Sequence, residues 1–181
     1  MRILGIDPGS RLTGYGVISF EKGKEKLVEY GVLRLDKEKS HEYRLKQIYD
    51  RLTAVIDRSL PDYSAVEMPV YGKNPQSMLK LGRAQAACIL ASLNREIPIV
   101  QYTPKEIKRA VTGNGNASKE QVWFMVRSIL AIKDQDEKYT LDATDALAVA
   151  ICHAHRNAKK GPSSHGGDWS KFVRENPDRV K

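Results

Sequence analysis

The chain has 181 residues, room for one domain of ordinary size and too few for two well-packed domains of average length. Its 30 Lys and Arg against 22 Asp and Glu leave a formal charge of +8, an excess that favours polyanionic partners, nucleic acid first among them. No apolar run approaches the ~18 residues of a membrane span and the start lacks a signal-peptide pattern, so a cytoplasmic protein without membrane attachment is expected; two distant cysteines, Cys88 and Cys152, argue against a disulfide framework or a zinc knuckle.

In chain order, Arg2 to Asp7 is a short apolar run ending on a carboxylate before Pro8-Gly9-Ser10, which predicts a buried strand entering a turn. Gly14 to Phe20 and the alternating stretch Leu27 to Leu35 predict two further strands, with hairpin chemistry in Glu21-Lys22-Gly23-Lys24. Links this short predict an antiparallel meander, since a parallel pair needs a crossover of a dozen residues or more. From Ser40, apolar residues recur at helical spacing (Leu45, Ile48, Tyr49, Leu52, Val55, Ile56) until Pro61, predicting an amphipathic helix.

Ser64 to Met68 reads as a fourth strand with Glu67 near its end, and Gln76 to Arg95 as a helix that is apolar or small on nearly every side. Such a helix is expected to be buried on more than one face, in the core or against a second subunit. Ile97 to Tyr102 is the fifth strand. Thr103-Pro104-Lys105-Glu106 and Ser118-Lys119-Glu120-Gln121 are capping boxes that start two helices separated by Gly113-Asn114-Gly115-Asn116. A last helix, Thr140 to Arg156, carries Asp142 and Asp145, and the composition after Ala158 turns to Gly, Ser, His and charge. The expected architecture is α/β, a mixed five-stranded sheet flanked by helices, with a folded domain over 1–158 and a flexible basic tail over 159–181. Three of the eight excess positive charges lie in that tail.

Four acids have surroundings unsuited to solvated surface charge. Asp7 and Glu67 end hydrophobic strands, and Asp142 and Asp145, three apart, share one face of an otherwise apolar helix. Three have a plainer explanation singly: Asp7 before Pro-Gly is an ordinary turn initiator, Glu67 an ordinary strand-end charge, and Asp142 suits a helix N-terminus; Asp145, deeper in the apolar helix, is harder to dismiss. Taken together they form a hard oxygen set suited to Mg²⁺ or Mn²⁺, able to activate water against a phosphodiester. His153 and His155 have no partner at ligand spacing and are expected to be ordinary helix residues, and the two cysteines core thiols.

Ile3 to Ser10, Thr13-Gly14-Tyr15-Gly16, Glu67 after a strand, Lys80 to Ala84, and Asp142-Ala143-Thr144-Asp145-Ala146-Leu147-Ala148 together resemble the RuvC family of Holliday junction resolvases, in order and spacing, over residues 2 to 156. The resemblance implies a ribonuclease H-like fold, a homodimer, Mg²⁺ dependence (with Mn²⁺ expected to substitute), paired symmetric nicks across four-way junction DNA, and cooperation with the RuvAB branch-migration complex. The family's acidic positions correspond to Asp7, Glu67, Asp142 and Asp145. Its DNA-approaching basic positions correspond to Lys108 and Lys119, which on composition alone are ordinary surface lysines.

One departure concerns the loop after Glu67. Relatives often carry a Phe three residues after the Glu; this chain has Val70 and then Tyr71, which can supply stacking on junction bases in its place. Lys73 and Asn74 in the same loop fit phosphate contacts. No element identifies itself as a reader of base edges. Two other functions share some of these features. A non-catalytic four-way junction binder would have the charge but no need of four inward acids. A single-domain relative of actin-like ATPases would have the Asp-Pro-Gly turn but lack the second domain that closes on nucleotide. Trp169 and Phe172 in the tail are candidate docking residues.

Overall fold

The computed structural model describes residues 1–36, 39–69, 74–132 and 141–159. Its elements are β1 (Arg2–Asp7), β2 (Leu12–Glu21), β3 (Lys24–Arg34), α1 (His41–Ser59), β4 (Tyr63–Glu67), α2 (Pro75–Leu93), β5 (Ile99–Tyr102), α3 (Pro104–Thr112), α4 (Lys119–Leu130) and α5 (Leu141–Lys159). The sheet order is β3-β2-β1-β4-β5. The first three strands form the antiparallel meander that their short links demand, while β4 and β5, each reached through a helix, add parallel.

Side chains alternate across the sheet and build two cores. Ile3, Ile18 and Ala65 face α3, α4 and α5, packing with Ile107, Val126, Leu147 and Ile151. Leu4, Ile6, Val17 and Val66 face α1 and α2, packing with Ile48, Leu52, Ala84 and Cys88. Cys88 and Cys152 are buried and free on opposite faces of the sheet, so the layer between them keeps them from pairing.

Local chemistry sets the helix ends. Ser40 accepts from the Tyr43 amide to cap α1, which stops at Leu60, left-handed at φ 46°, just before Pro61. Both capping boxes form as expected, at Thr103 with Glu106 and at Ser118 with Gln121. Most boundaries move by one to three residues, and two of the shifts flank one turn. Helix α2 stops at Leu93 rather than Arg95, and β5 starts at Ile99 rather than Ile97. Between them the chain turns through Glu96 at φ 57°, and the Arg95 guanidinium grips both Asp57 carboxylate oxygens at 2.6 and 3.0 Å. That ion pair ties the turn to α1 instead of extending the helix.

Helix α2 does not bury its several apolar sides in the core of its own chain. Its core face is Ala84, Ala87, Cys88, Ala91 and Ser92, but Leu79, Leu90 and Leu93 are 61%, 52% and 51% exposed. Within one chain it is buried on one face only.

Candidate active site

Strands β1 and β4 run parallel with Ile6 opposite Val66, so the next residue of each, Asp7 and Glu67, stand side by side at the same edge. Alternation turns both toward the α5 face, since Ile6 and Val66 belong to the opposite core. The Asp7 turn is closed by buried Thr13, whose hydroxyl donates to the Gly9 carbonyl at 3.0 Å and accepts from the Gly9 amide at 3.4 Å.

Helix α5 approaches this edge because glycines let its backbone touch the strands. A Cβ on Gly5 would lie 2.0 Å from the Ala146 carbonyl oxygen, and one on Gly14 2.0 Å from that of Asp142. Gly14 is the ladder partner of Asp7, so this contact sets the start of α5 over the first acid. Ala143, Ala146 and Ala150 are fully buried against the sheet, and Asp142 and Asp145 are left half-buried at the rim.

Asp7, Glu67 and Asp145 line one cleft together with Lys108 of α3 and Lys119 of α4. Asp142 does not line it; its carboxylate acts on Asp7 through space, more weakly than those of Glu67 and Asp145. Lys119 Nζ lies 3.1 Å from Asp145 Oδ2. Burial, reinforced by Glu67, Asp145 and Asp142, raises the Asp7 carboxyl to about 8 against the pull of Lys119. Burial and then Asp145 raise Glu67 to about 7, opposed by Lys119 and Lys108. The Lys119 ammonium is held above its usual range chiefly by the Asp145 charge. Even with two lysines beside them, the acids are short of positive charge.

A divalent cation fits that deficit by donor chemistry: clustered carboxylate oxygens at a sheet edge, destabilised by one another, are the hard ligands Mg²⁺ and Mn²⁺ take. As the side chains stand, no three His, Cys, Asp or Glu groups among the described residues are gathered tightly enough to hold an ion. Asp145, turned to Lys119, is one of the groups an ion would have to recruit.

The remaining candidates divide. Tyr71 and Lys73 lie outside the described residues, as do Trp169 and Phe172. Asn74, which fits a phosphate contact, caps α2, its Oδ1 accepting from the Gln76 and Ser77 amides at 3.0 and 3.2 Å. His153 and His155 serve the fold: His153 Nδ1 pairs with the Tyr102 hydroxyl at 2.8 Å, and His155 Nε2 with Glu25 at 2.6 Å. Sequence reasoning missed Gln85, which lines a second recess beside Asp7 and Glu67. Its signal was a polar residue one turn after Leu81, on a face of α2 that continues into buried Cys88.

The family model for crossover junction endodeoxyribonuclease RuvC matches residues 3–153. The crossover junction endodeoxyribonuclease RuvC of Salinibacter ruber is 58% identical over 180 residues, 99% of each chain, and that of Porphyromonas gingivalis 48% identical, over 99% of this chain and 96% of its own. Among solved structures, Thermus thermophilus RuvC in complex with Holliday junction substrate superposes with a TM-score of 0.82 at 31% identity, covering 88% of this chain and 96% of that one. The yeast mitochondrial Holliday junction resolvase Ydc2 shares the fold at 17% identity, with a TM-score of 0.61 over 87% of this chain and 79% of its own. The mixed five-stranded sheet is thus the ribonuclease H-like fold of these resolvases.

Proposed function

Because the chain belongs to the RuvC family of crossover junction endodeoxyribonucleases, we propose that Asp7, Glu67, Asp142 and Asp145 are its catalytic acids and hold Mg²⁺, with Mn²⁺ able to substitute. The protein is a nuclease that resolves Holliday junctions. Neither a non-catalytic junction binder nor an actin-like ATPase is favoured by that membership. The observation that best supports the acid assignment is the convergence of Asp7, Glu67 and Asp145 with Lys108 and Lys119 on one cleft.

In this reading Lys108 and Lys119 attract the phosphodiester and offset its charge beside the acids. A bound cation would supply an activated water and stabilise the departing oxygen. Asp7 and Glu67, whose carboxyls resist ionisation, would hold it as carboxylates, joined by Asp142 and by Asp145, which now pairs with Lys119. Tyr71 and Lys73 are proposed DNA contacts of the adjoining loop.

A homodimer places one such cleft on each of two opposed strands of a junction with near two-fold symmetry, and the exposed leucines of α2 support α2 as part of its interface. The domain over 1–158, the basic tail after it, a cytoplasmic location and work alongside RuvAB belong to the same proposal. No helix of the described residues is long and apolar enough to cross a membrane.

The test is a synthetic four-way junction incubated with the protein and Mg²⁺, its strands resolved on a denaturing gel. Paired nicks in strands of like polarity are expected. Asp7→Asn should abolish cutting while gel-shift binding persists, because removing negative charge beside phosphate cannot weaken attraction. Loss of binding in step with cleavage would count against the assignment.

A further inference from the structure

Asp7 and Glu67 stand on a ridge between two recesses of unlike chemistry. On one side the wall carries Lys108, Lys119 and Asp145. On the other it is Pro8, Met68, Pro69, Leu81 and Gln85, which among the described residues adds no charge beyond the shared acids. A polynucleotide is divided in the same way, into charged phosphates and largely apolar sugar and base. A strand crossing the two acids with its phosphates toward the lysines therefore presents a nucleoside to the apolar recess.

Gln85 is the polar side chain of that second wall, and its orientation is determined. Its Nε2 donates to the Glu67 main-chain oxygen at 3.3 Å and to Gln101 Oε1 at 2.9 Å. Turning the amide over would set its oxygen against the Glu67 carbonyl, two acceptors face to face. Both N–H groups are thus committed to protein partners, which leaves Oε1 as the atom with which this lining residue can accept from a ligand. Small-molecule recesses that discriminate combine apolar walls with one or a few such fixed polar atoms.

We propose that this recess is a subsite for the nucleoside flanking the scissile phosphate, and that Gln85 is a specificity-determining residue in it, accepting a hydrogen bond from the base. The preferred base is the one whose amino or ring N–H group reaches Gln85 Oε1; a base that sets an acceptor at that point would leave it and Oε1 unpaired. The inference rests on the nuclease reading of the cleft.

The experiment compares single-turnover cleavage, by the full chain with Mg²⁺, of junctions identical except for the base on either side of the cut. Wild-type rates should span about tenfold across the panel, the upper part of what one well-placed hydrogen bond contributes. Gln85→Leu should collapse that span to about twofold. Gln85→Met, of nearly the same length, gives the same readout if the Leu variant does not fold. Gln101→Ala, which removes the partner orienting the amide, should narrow the span part of the way. An unchanged ranking and span in the Gln85 variants, or uniform slowing on every junction, would overturn the inference. So would an abasic flanking nucleotide that leaves the wild-type rate unchanged. Wild-type failure to cut any junction overturns the nuclease reading itself, whereas cutting without base dependence overturns this inference alone.

Discussion

Asp7 shows how one residue links stability to chemistry. Its carboxyl titrates near 8 rather than the ordinary 3.8 because it is buried and shares its edge with Glu67, Asp145 and Asp142. The folded protein therefore keeps a proton that the unfolded chain releases. The stability contributed by this group is complete below its unfolded value and is lost as pH rises through 8; Glu67, near 7, adds a loss of the same sign. Metal-free protein should lose melting temperature between pH 5 and pH 9. Asp7→Asn removes the buried charge, so it should flatten this dependence and raise the midpoint at pH 8 by several degrees, on the order of 1–3 kcal/mol. Mg²⁺, by stabilising the ionised carboxylates, should raise the wild-type midpoint more at pH 8 than at pH 6. Thermal denaturation across pH, with and without the ion, checks all three; an Asn variant less stable than wild type at pH 8 would contradict the electrostatic account.

At the scale of elements, the site exists because α5 can lie directly on β1 and β2. The alanine-rich helix and the strand glycines are one device: small residues on both sides bring the backbones together, and the two aspartates follow. Gly14→Ala would put a methyl group 2.0 Å from the Asp142 carbonyl oxygen, where the helix backbone has to move. It should cost about 1–3 kcal/mol or more in urea unfolding and reduce cleavage beyond that loss, since Asp142 and Asp145 shift with the helix. Gly82→Ala is the matched control. Nothing lies within 4 Å of its added carbon, and within helix α2 the change should stabilise by about 0.5–1 kcal/mol. Equal effects at the two positions would rule out the close-approach argument. The capping boxes of α3 and α4 act at the same scale, holding the helices that bring Lys108 and Lys119 to the cleft.

For the whole molecule, the sheet separates two cores that carry two tasks. One face, with α3, α4 and α5, holds the acids and lysines. The other, with α1 and α2, leaves Leu79, Leu90 and Leu93 in solvent, a cost that the proposed partner subunit would remove. Leu90→Asp should shift the protein from dimer to monomer in sedimentation velocity and replace coupled paired nicks by single uncoupled ones, with the circular dichroism of the monomer unchanged. A variant that stays dimeric would move the interface elsewhere.

Much of this was legible along the chain. Strand alternation, the two capping boxes, Pro61 and the short opening links determined the elements and the antiparallel meander, because these depend on backbone preferences within a few residues. The four acids stood out for the same local reason, as charges set in apolar surroundings. The end of α2 did not, because the chain leaves the helix through a left-handed turn at Glu96 that no glycine or proline marks. Nor could the chain tell that Asp7, Glu67 and Asp145 share a cleft while Asp142 stays at its rim, that Asn74 caps a helix, or that Gln85 is locked beside the acids by Glu67 and Gln101. Each of these depends on strand register or on which helix crosses which strand, and such relations between residues tens of positions apart arise only when the sheet assembles and both its faces are covered.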